Sequence, residues 1–281
     1  MIRSSLLNRS LTGLSKSFSY SVVSRESSKP GFVQSLLHGA PDDQEGVYAK
    51  TLQHSKLVGR GKNHHELIIH KVHPSKTDEY KKLAEAYFKT LTPGPTEPTT
   101  IRPVLMGSWE CILGELDTFY HIVRHPSLTD VLPLSTSSTA HQALLPLLAS
   151  RQSSLLQEFA FSPAHDNPTM DQKSAKAEGG IFELRSYQLK PGTMLEWEGA
   201  WKRGIEARRK FVIPMGAWFS QVGRLHVVHH MWQFKDMQER KEVREKAWAI
   251  SGWSDTVTQT VKLAQGMSSQ IMRPMSWSPI K

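Results

Sequence analysis

HELIIHKVHPSKTDEY (65–80) aligns without a gap on FELRSYQLKPGTMLEW (182–197), at an offset of 117 residues (183 − 66). Glu66 falls on Glu183, Leu67 on Leu184, Pro74 on Pro191 and Tyr80 on Trp197. A second pair, GSWECILGEL (107–116) and GAWFSQVGRL (216–225), aligns at an offset of 109 (216 − 107). Gly107, Trp109, Gly114 and Leu116 there match Gly216, Trp218, Gly223 and Leu225. Ser162-Pro163 recurs as Ser278-Pro279 after the last segment of each copy. One unit is written twice, so the chain is expected to fold as a covalent pseudo-dimer.

The second copy is the easier to read. IFELRSYQL (181–189) alternates Phe182 and Leu184 against Glu183 and Arg185, a period-two strand pattern that Pro191-Gly192 breaks. A helix is expected from Thr193 as N-cap, because Trp197, Trp201 and Ile205 recur every four residues while Glu198, Lys202, Glu206 and Arg209 take other faces. AWFSQVG and RLHVVHHMWQF read as two strands joined at Gly223. Asp236 is expected to cap a helix reaching Ser251, Ser254 to cap another over 255–266, and SSQIMRPM (268–275) to close the sheet. This order is β-α-β-β-α-β, the ferredoxin-like split unit.

In the first copy LIIHKV (67–72) is the strand and DEYKKLAEAYFKTL (78–91) the helix. SWECILGE and TFYHIVRH form the strand pair, residues 141–156 supply the later helices, and LLQEFAFS (155–162) closes the sheet. Each four-stranded sheet has helices on one face and leaves the other bare. The fold class is therefore expected to be α+β, two ferredoxin-like repeats packed sheet to sheet as an intramolecular dimeric α+β barrel.

The expected domain organisation starts with a presequence, 1–25, and an extension, 26–63, holding a short buried segment around Phe32, Leu36 and Leu37. The first repeat follows over 64–163, then a polar hinge over 164–180 and the second repeat over 181–281. TPGPTEPTT (92–100) reads as a linker inside the first repeat, since its Pro and Gly exclude regular structure.

The formal charge of +9 says little about partners until the N-terminus is set apart. Residues 1–25 carry Arg3, Arg9, Lys16 and Arg25, no acid, and many serines and leucines. That composition, with Leu6, Leu7, Leu11 and Leu14 at helical spacing, is that of a mitochondrial presequence; a basic tail without structure is the alternative. Without it the charge is +5 (9 − 4), and no helix-turn-helix or RNA-stacking motif accompanies it, so nucleic acid is rejected as a partner. No apolar run approaches the roughly 18 residues of a membrane span. Cys111 is the only cysteine, which excludes an intramolecular disulfide and multi-cysteine metal sites and points to a reducing compartment.

Three constellations merit weighing. LHVVHHMW brings His226, His229 and His230 together. On a strand, His229 and His230 point to opposite faces, while His226 and His230 lie about 13 Å apart. A metal needs its nitrogens at about 2.0–2.1 Å, so no pair on this strand chelates, and only a cross-barrel pairing of His230 with His121 is left open. Glu66 and Glu183, related by the repeat, are either a symmetric acid pair at a barrel mouth or solvated edge residues, the reading preferred here. Trp109, Trp197, Trp201, Trp218 and Trp232 line a ligand cavity or, more simply, form core. Cys111, on an expected buried strand without a His or Asp beside it in sequence, is not read as a nucleophile. Four aromatic-x-x-aliphatic peptides of the kind autophagy receptors grip begin at Tyr80, Phe88, Trp109 and Phe119, all within expected regular structure. No residue is assigned as catalytic, cofactor-binding or metal-binding, and no cofactor is expected.

ELRSYQLKPGTMLEW (183–197), FSQVGRLHVVHHMWQFKDMQER (219–240) and SSQIMRPMSWSP (268–279), with 32–37 and the GSW…G…ELD pattern of 107–117, closely resemble the NIPSNAP family. The resemblance implies tandem dimeric α+β barrel domains and a mitochondrial, chiefly matrix, location. It implies non-enzymatic action through protein contacts in mitochondrial quality control, with autophagy receptors and ubiquitin-like autophagy modifiers as partners beside the import machinery. Peripheral membrane contact is compatible with it. HPSLTDVLPLSTSSTAHQ (125–142) departs from the helix-forming stretch the family carries there. The alternative is a cofactor-independent monooxygenase-like barrel, or one that binds a hydrophobic or haem-like ligand, with a cavity lined by His and Trp from both repeats.

Overall fold

In a computed structural model of the chain, residues 64–92, 102–131, 139–162, 180–212 and 214–281 are described. The expected presequence and extension, most of the 92–100 linker and all but the last residue of the 164–180 hinge lie outside them. The first half contains β1 (His64–Val72), α1 (Thr77–Lys89), β2 (Val104–Leu113), β3 (Thr118–His125), α2 (Thr139–Leu144) and β4 (Leu148–Glu158). The second contains β5 (Ile181–Leu189), α3 (Met194–Arg209), β6 (Pro214–Val222) and β7 (Val227–Phe234). It ends with α4 (Met237–Trp248), α5 (Trp253–Leu263) and β8 (Ala264–Pro274).

The eight strands close into one antiparallel barrel in the order β1-β3-β2-β8-β5-β7-β6-β4. Each half contributes a β4-β1-β3-β2 or β8-β5-β7-β6 sheet, and the seams are β2 against β8 and β4 against β6. Closure satisfies the backbone groups that either four-stranded sheet would leave at its edges. Leu67, Trp109, Leu184, Trp218, Met231 and Met272 fill the interior. Two further clusters lie between each sheet and its helices, around Tyr80 and Phe88 in the first half and Trp197 and Trp232 in the second.

The repeated residues recur in repeated geometry. Gly114 and Gly223 both have positive φ, as do Asp117 and His226 at the far end of each four-residue turn. A Cβ on Gly107 would run into the Trp109 ring, and one on Gly216 into the Trp218 ring, which accounts for the G-x-W repeat. The repeated Ser-Pro serines are crossed clamps. Ser162 Oγ accepts from the Ala217 N–H of the other half at 3.1 Å, and Ser278 Oγ from Ser108 N–H at 3.0 Å.

Several expectations at element ends are corrected. Residues 148–154 are strand, not helix: this part of β4 is exposed and polar, held by pairing to β1 rather than by an apolar face. Thr193 precedes α3, but its hydroxyl donates back to Lys190 O and caps nothing. Helix α5 begins at Trp253 behind a left-handed Gly252, so Ser254 lies inside it. His226 belongs to a turn, not to β7. Asp236 does cap α4, accepting from Glu239 N–H at 2.8 Å. Among the described residues between β3 and β4 are the six-residue α2 and single turns at Leu128–Asp130 and Leu145–Leu147, whereas α4 and α5 lie between β7 and β8.

Candidate functional site

Even-numbered β1 side chains face the helices, and between them lies a cavity of about 270 Å³. Glu66, Ile68 and His70 come from β1, Tyr87 from α1, His141 from α2, and Arg151 and Ser153 from β4. The size and mixed lining suit a small ligand. Ser153 donates to Glu66 Oε1 at 2.5 Å, and His125 Nε2 lies 3.2 Å from Oε2. Arg151 donates to His141 Nε2 at 3.2 Å, which requires a neutral imidazole there; burial and the Arg151 charge both lower the His141 pKa, against Glu66.

A buried hydrogen-bond chain leads away from the cavity. His70 Nδ1 is 2.8 Å from Tyr80 Oη, Tyr80 Oη is 2.9 Å from His121 Nε2, and His121 Nδ1 is 2.8 Å from Ser108 Oγ. Tyr80 has one proton, so if it donates to His70 it accepts from His121 Nε2, and His121 Nδ1 then accepts from Ser108. The polarity of the chain is set as a unit. Burial, and then the charges of His141 and Arg151, push His70 down to about 4 against the pull of Glu66. Burial and then His70 drive His121 well below its usual value, and Phe88 stacks on it at 3.9 Å between centroids. Both imidazoles are neutral near pH 7.

The second half fills the same place differently. Glu183, fully buried, accepts through Oε1 from Arg240 at 2.7 Å, Arg185 at 2.8 Å and Ser269 at 2.8 Å. Burial works to raise its pKa, but the Arg240 hydrogen bond and the Arg185 and Arg240 charges outweigh that and hold the carboxyl far below the usual range. His230 packs against Tyr187, Trp201 and Trp232, and its Nδ1 accepts from Trp232 Nε1 at 2.7 Å.

Glu66 and Glu183 are therefore neither a mouth pair nor solvated; both face the helices and are buried. His229 and His230 do take opposite faces: His229 accepts or donates at 2.7 Å to Ser186 and lines the barrel mouth, while His230 lies under the helices. His121 and His230 sit in the separate helix-side layers of the two halves, so they are not a cross-barrel pair. Trp109 and Trp218 are interior core, whereas Trp197, Trp201 and Trp232 are helix-side core, and they share no cavity. The mouth holds a second cavity of about 420 Å³ with side chains from both halves, among them Tyr120, Glu115, Arg224, Ser186 and His229, but no Trp. Cys111 is buried and free, its thiol raised chiefly by burial. Tyr80, Phe88, Trp109 and Phe119, which open the four short peptides, are all buried. Among the described residues no three His, Cys, Asp or Glu gather as metal ligands.

The reading by strand spacing missed Tyr80 as the link between His70 and His121. The signal was present in its alignment with Trp197, a polar-tipped ring set opposite a purely packing one.

Comparison with known proteins agrees with this architecture. The chain is similar to Protein NipSnap homolog 1 of Danio rerio, 36% identical over 84% of each chain. It is similar to Protein NipSnap homolog 2 of Homo sapiens, 34% identical over 81% of this chain and 79% of that one. Among solved structures, an anthrone oxidase-like protein shares the fold with a TM-score of 0.57, 11% identity, and coverage of 77% of this chain and 93% of the other. The family model described as NIPSNAP matches residues 182–279, the half that carries the Glu183–arginine cluster. With relatives this similar along most of its length, the chain belongs to the NIPSNAP family.

Proposed function

We propose that this NIPSNAP-family chain is mitochondrial and works through protein contacts in mitochondrial quality control, without turning over a substrate. The observation that carries the reading is a pair of apolar hairpin tips. Leu113 precedes one turn and Leu116 lies within it, Val222 and Leu225 stand likewise at the other, and each is more than half exposed. Glu115 and Arg224, at matching places in the two turns, line the same cavity, so both tips border one mouth. Paired apolar surface of this kind marks a contact site. Closure of the barrel leaves no strand edge for peptide addition in the closed sheet, which shifts partner binding to such surfaces.

Location acts as the switch. The basic N-terminus directs import, and a fall in membrane potential leaves the folded repeats at the outer surface for autophagy proteins to meet. Proximity labelling from the full-length chain, before and after collapse of the potential, tests this. Neighbours are expected to change from matrix proteins to outer-surface autophagy proteins, and a Leu116→Glu/Leu225→Glu variant to lose the latter while still being imported. Unchanged matrix neighbours after depolarisation would overturn the reading.

A second reading, binding of a small hydrophobic ligand, is favoured by the 270 Å³ cavity beside His70. It departs from a cavity shared by both halves and lined by tryptophan. Leu91→Trp, which fills the cavity, is expected to abolish saturable binding of an apolar fluorescent probe; binding unaffected by that change rules this site out.

A further inference from the structure

Arg208, near the end of α3, is 3% exposed, and its Nε and Nη2 have no hydrogen-bond partner. Its guanidinium carbon lies 4.1 Å from the Trp232 ring centroid and 5.7 Å from that of Trp253. Stacking of this kind offsets only part of what burying an unpaired ion costs. Burial lowers its pKa to about 10; Glu183 opposes this, and Arg185 and Arg244 add to it. Burial also lowers the pKa of Arg244, on α4, with Arg185 and Arg240 adding to the effect and Glu183 opposing it. Four arginines thus surround one carboxylate, and Glu183 is already bonded to two of them.

Arg185, Arg208 and Arg244 converge on a pocket of about 90 Å³ between β5 and the three helices α3, α4 and α5. The remaining wall is almost wholly apolar, with Trp201 and Trp253 inside and Trp248, Val261 and Met267 exposed at the rim. A guanidinium fork matches the two oxygens of a planar oxyanion. The pocket holds a head of a few heavy atoms, and the rim offers apolar surface to whatever extends from it.

We propose that this pocket binds a small carboxylate with an apolar tail, of the fatty-acyl class, its head paired with Arg208 and Arg244 and its tail lying along Trp248, Val261 and Met267. The inference is independent of the protein-contact reading above, and the two fail separately. It places the ligand in the second half, away from the cavity beside His70.

The test uses octanoate as probe on the full chain, followed by tryptophan fluorescence and calorimetry, with inorganic phosphate and octylamine as comparisons. Octanoate is expected to saturate at sub-millimolar concentration and to raise the melting temperature, while phosphate binds at least tenfold more weakly and octylamine not at all. Arg208→Gln is expected to weaken octanoate tenfold or more. Arg244 is half-buried and makes no hydrogen bond or ion pair among the described residues, so Arg244→Gln is expected to keep the fold and carries the test if Arg208→Gln does not fold. No saturation by octanoate would overturn the proposal, as would wild-type affinity in a folded arginine variant. Equal binding of phosphate or of octylamine would overturn it as well.

Discussion

The two halves share a backbone and differ in what they place between sheet and helices. In the first, Ile68, His70 and Leu91 border a hollow cavity of mixed lining. Residues 117 further on (185 − 68, 187 − 70, 208 − 91) are Arg185, Tyr187 and Arg208, which pack with tryptophans around a buried carboxylate. Ser153 and Ser269 bond the two matched glutamates in the same way, so the frame is constant and its basic partner is not: His125 in one half, two arginines in the other. Turn glycines, the G-x-W stack and the clamp serines fix the barrel, and the helix-side layer is left free to diverge in chemistry.

Removing matched acids tests that contrast most severely. Glu183→Gln leaves Arg185 and Arg240 buried without a carboxylate and is expected to cost about 3–5 kcal/mol. Glu66→Gln, which loses a weaker neutral-or-charged contact, is expected to cost about 1–2 kcal/mol. Urea midpoints of the two variants measure the gap, and equal losses would break the comparison. The folded carboxyl of Glu183 titrates far below its usual 4.5, so its contribution is present above pH 4.5 and is lost as the pH falls below that value.

His70 acts earlier in an acid titration. Its folded value of about 4 lies below the ordinary 6.5, so the unfolded chain takes up a proton first and stability declines as the pH falls from 6.5 toward 4. The loss is up to about 3 kcal/mol. Converting it to the residue found in the other half, His70→Tyr, is expected to remove about one proton of uptake on unfolding in that window, read by calorimetry at two pH values. Tyr80→Phe breaks the chain between His70 and His121 and is expected to cost about 1–2 kcal/mol, read as a lower melting temperature. The smallest change is Asp236→Ala, which removes the side-chain cap of α4 at a cost of about 1 kcal/mol in chemical denaturation.

The barrel was legible because its determinants are local: alternation in IFELRSYQL, four-residue spacing of Trp197 and Trp201, and turn glycines at matching offsets. The start of β4 was not, since Ala149 to Ser153 are exposed and carry no apolar period. The helix-side chemistry was legible only in fragments. Glu183 meets Arg240 across 57 positions and Tyr80 meets His121 across 41, distances at which spacing within one element is silent. Strand spacing did separate His229 from His230, because that geometry is contained in a single strand.

The crossed clamps of Ser162 and Ser278 bear on the order in which the chain acquires its shape. Each last strand of a half finishes against the other half, β4 on β6 and β8 on β2. A ribosome delivers the first half ahead of the second, with β2 and β4 still lacking a neighbour. Two open edges on a waiting sheet invite pairing with a stranger, so this chain depends on shelter during its synthesis more than its finished form would suggest.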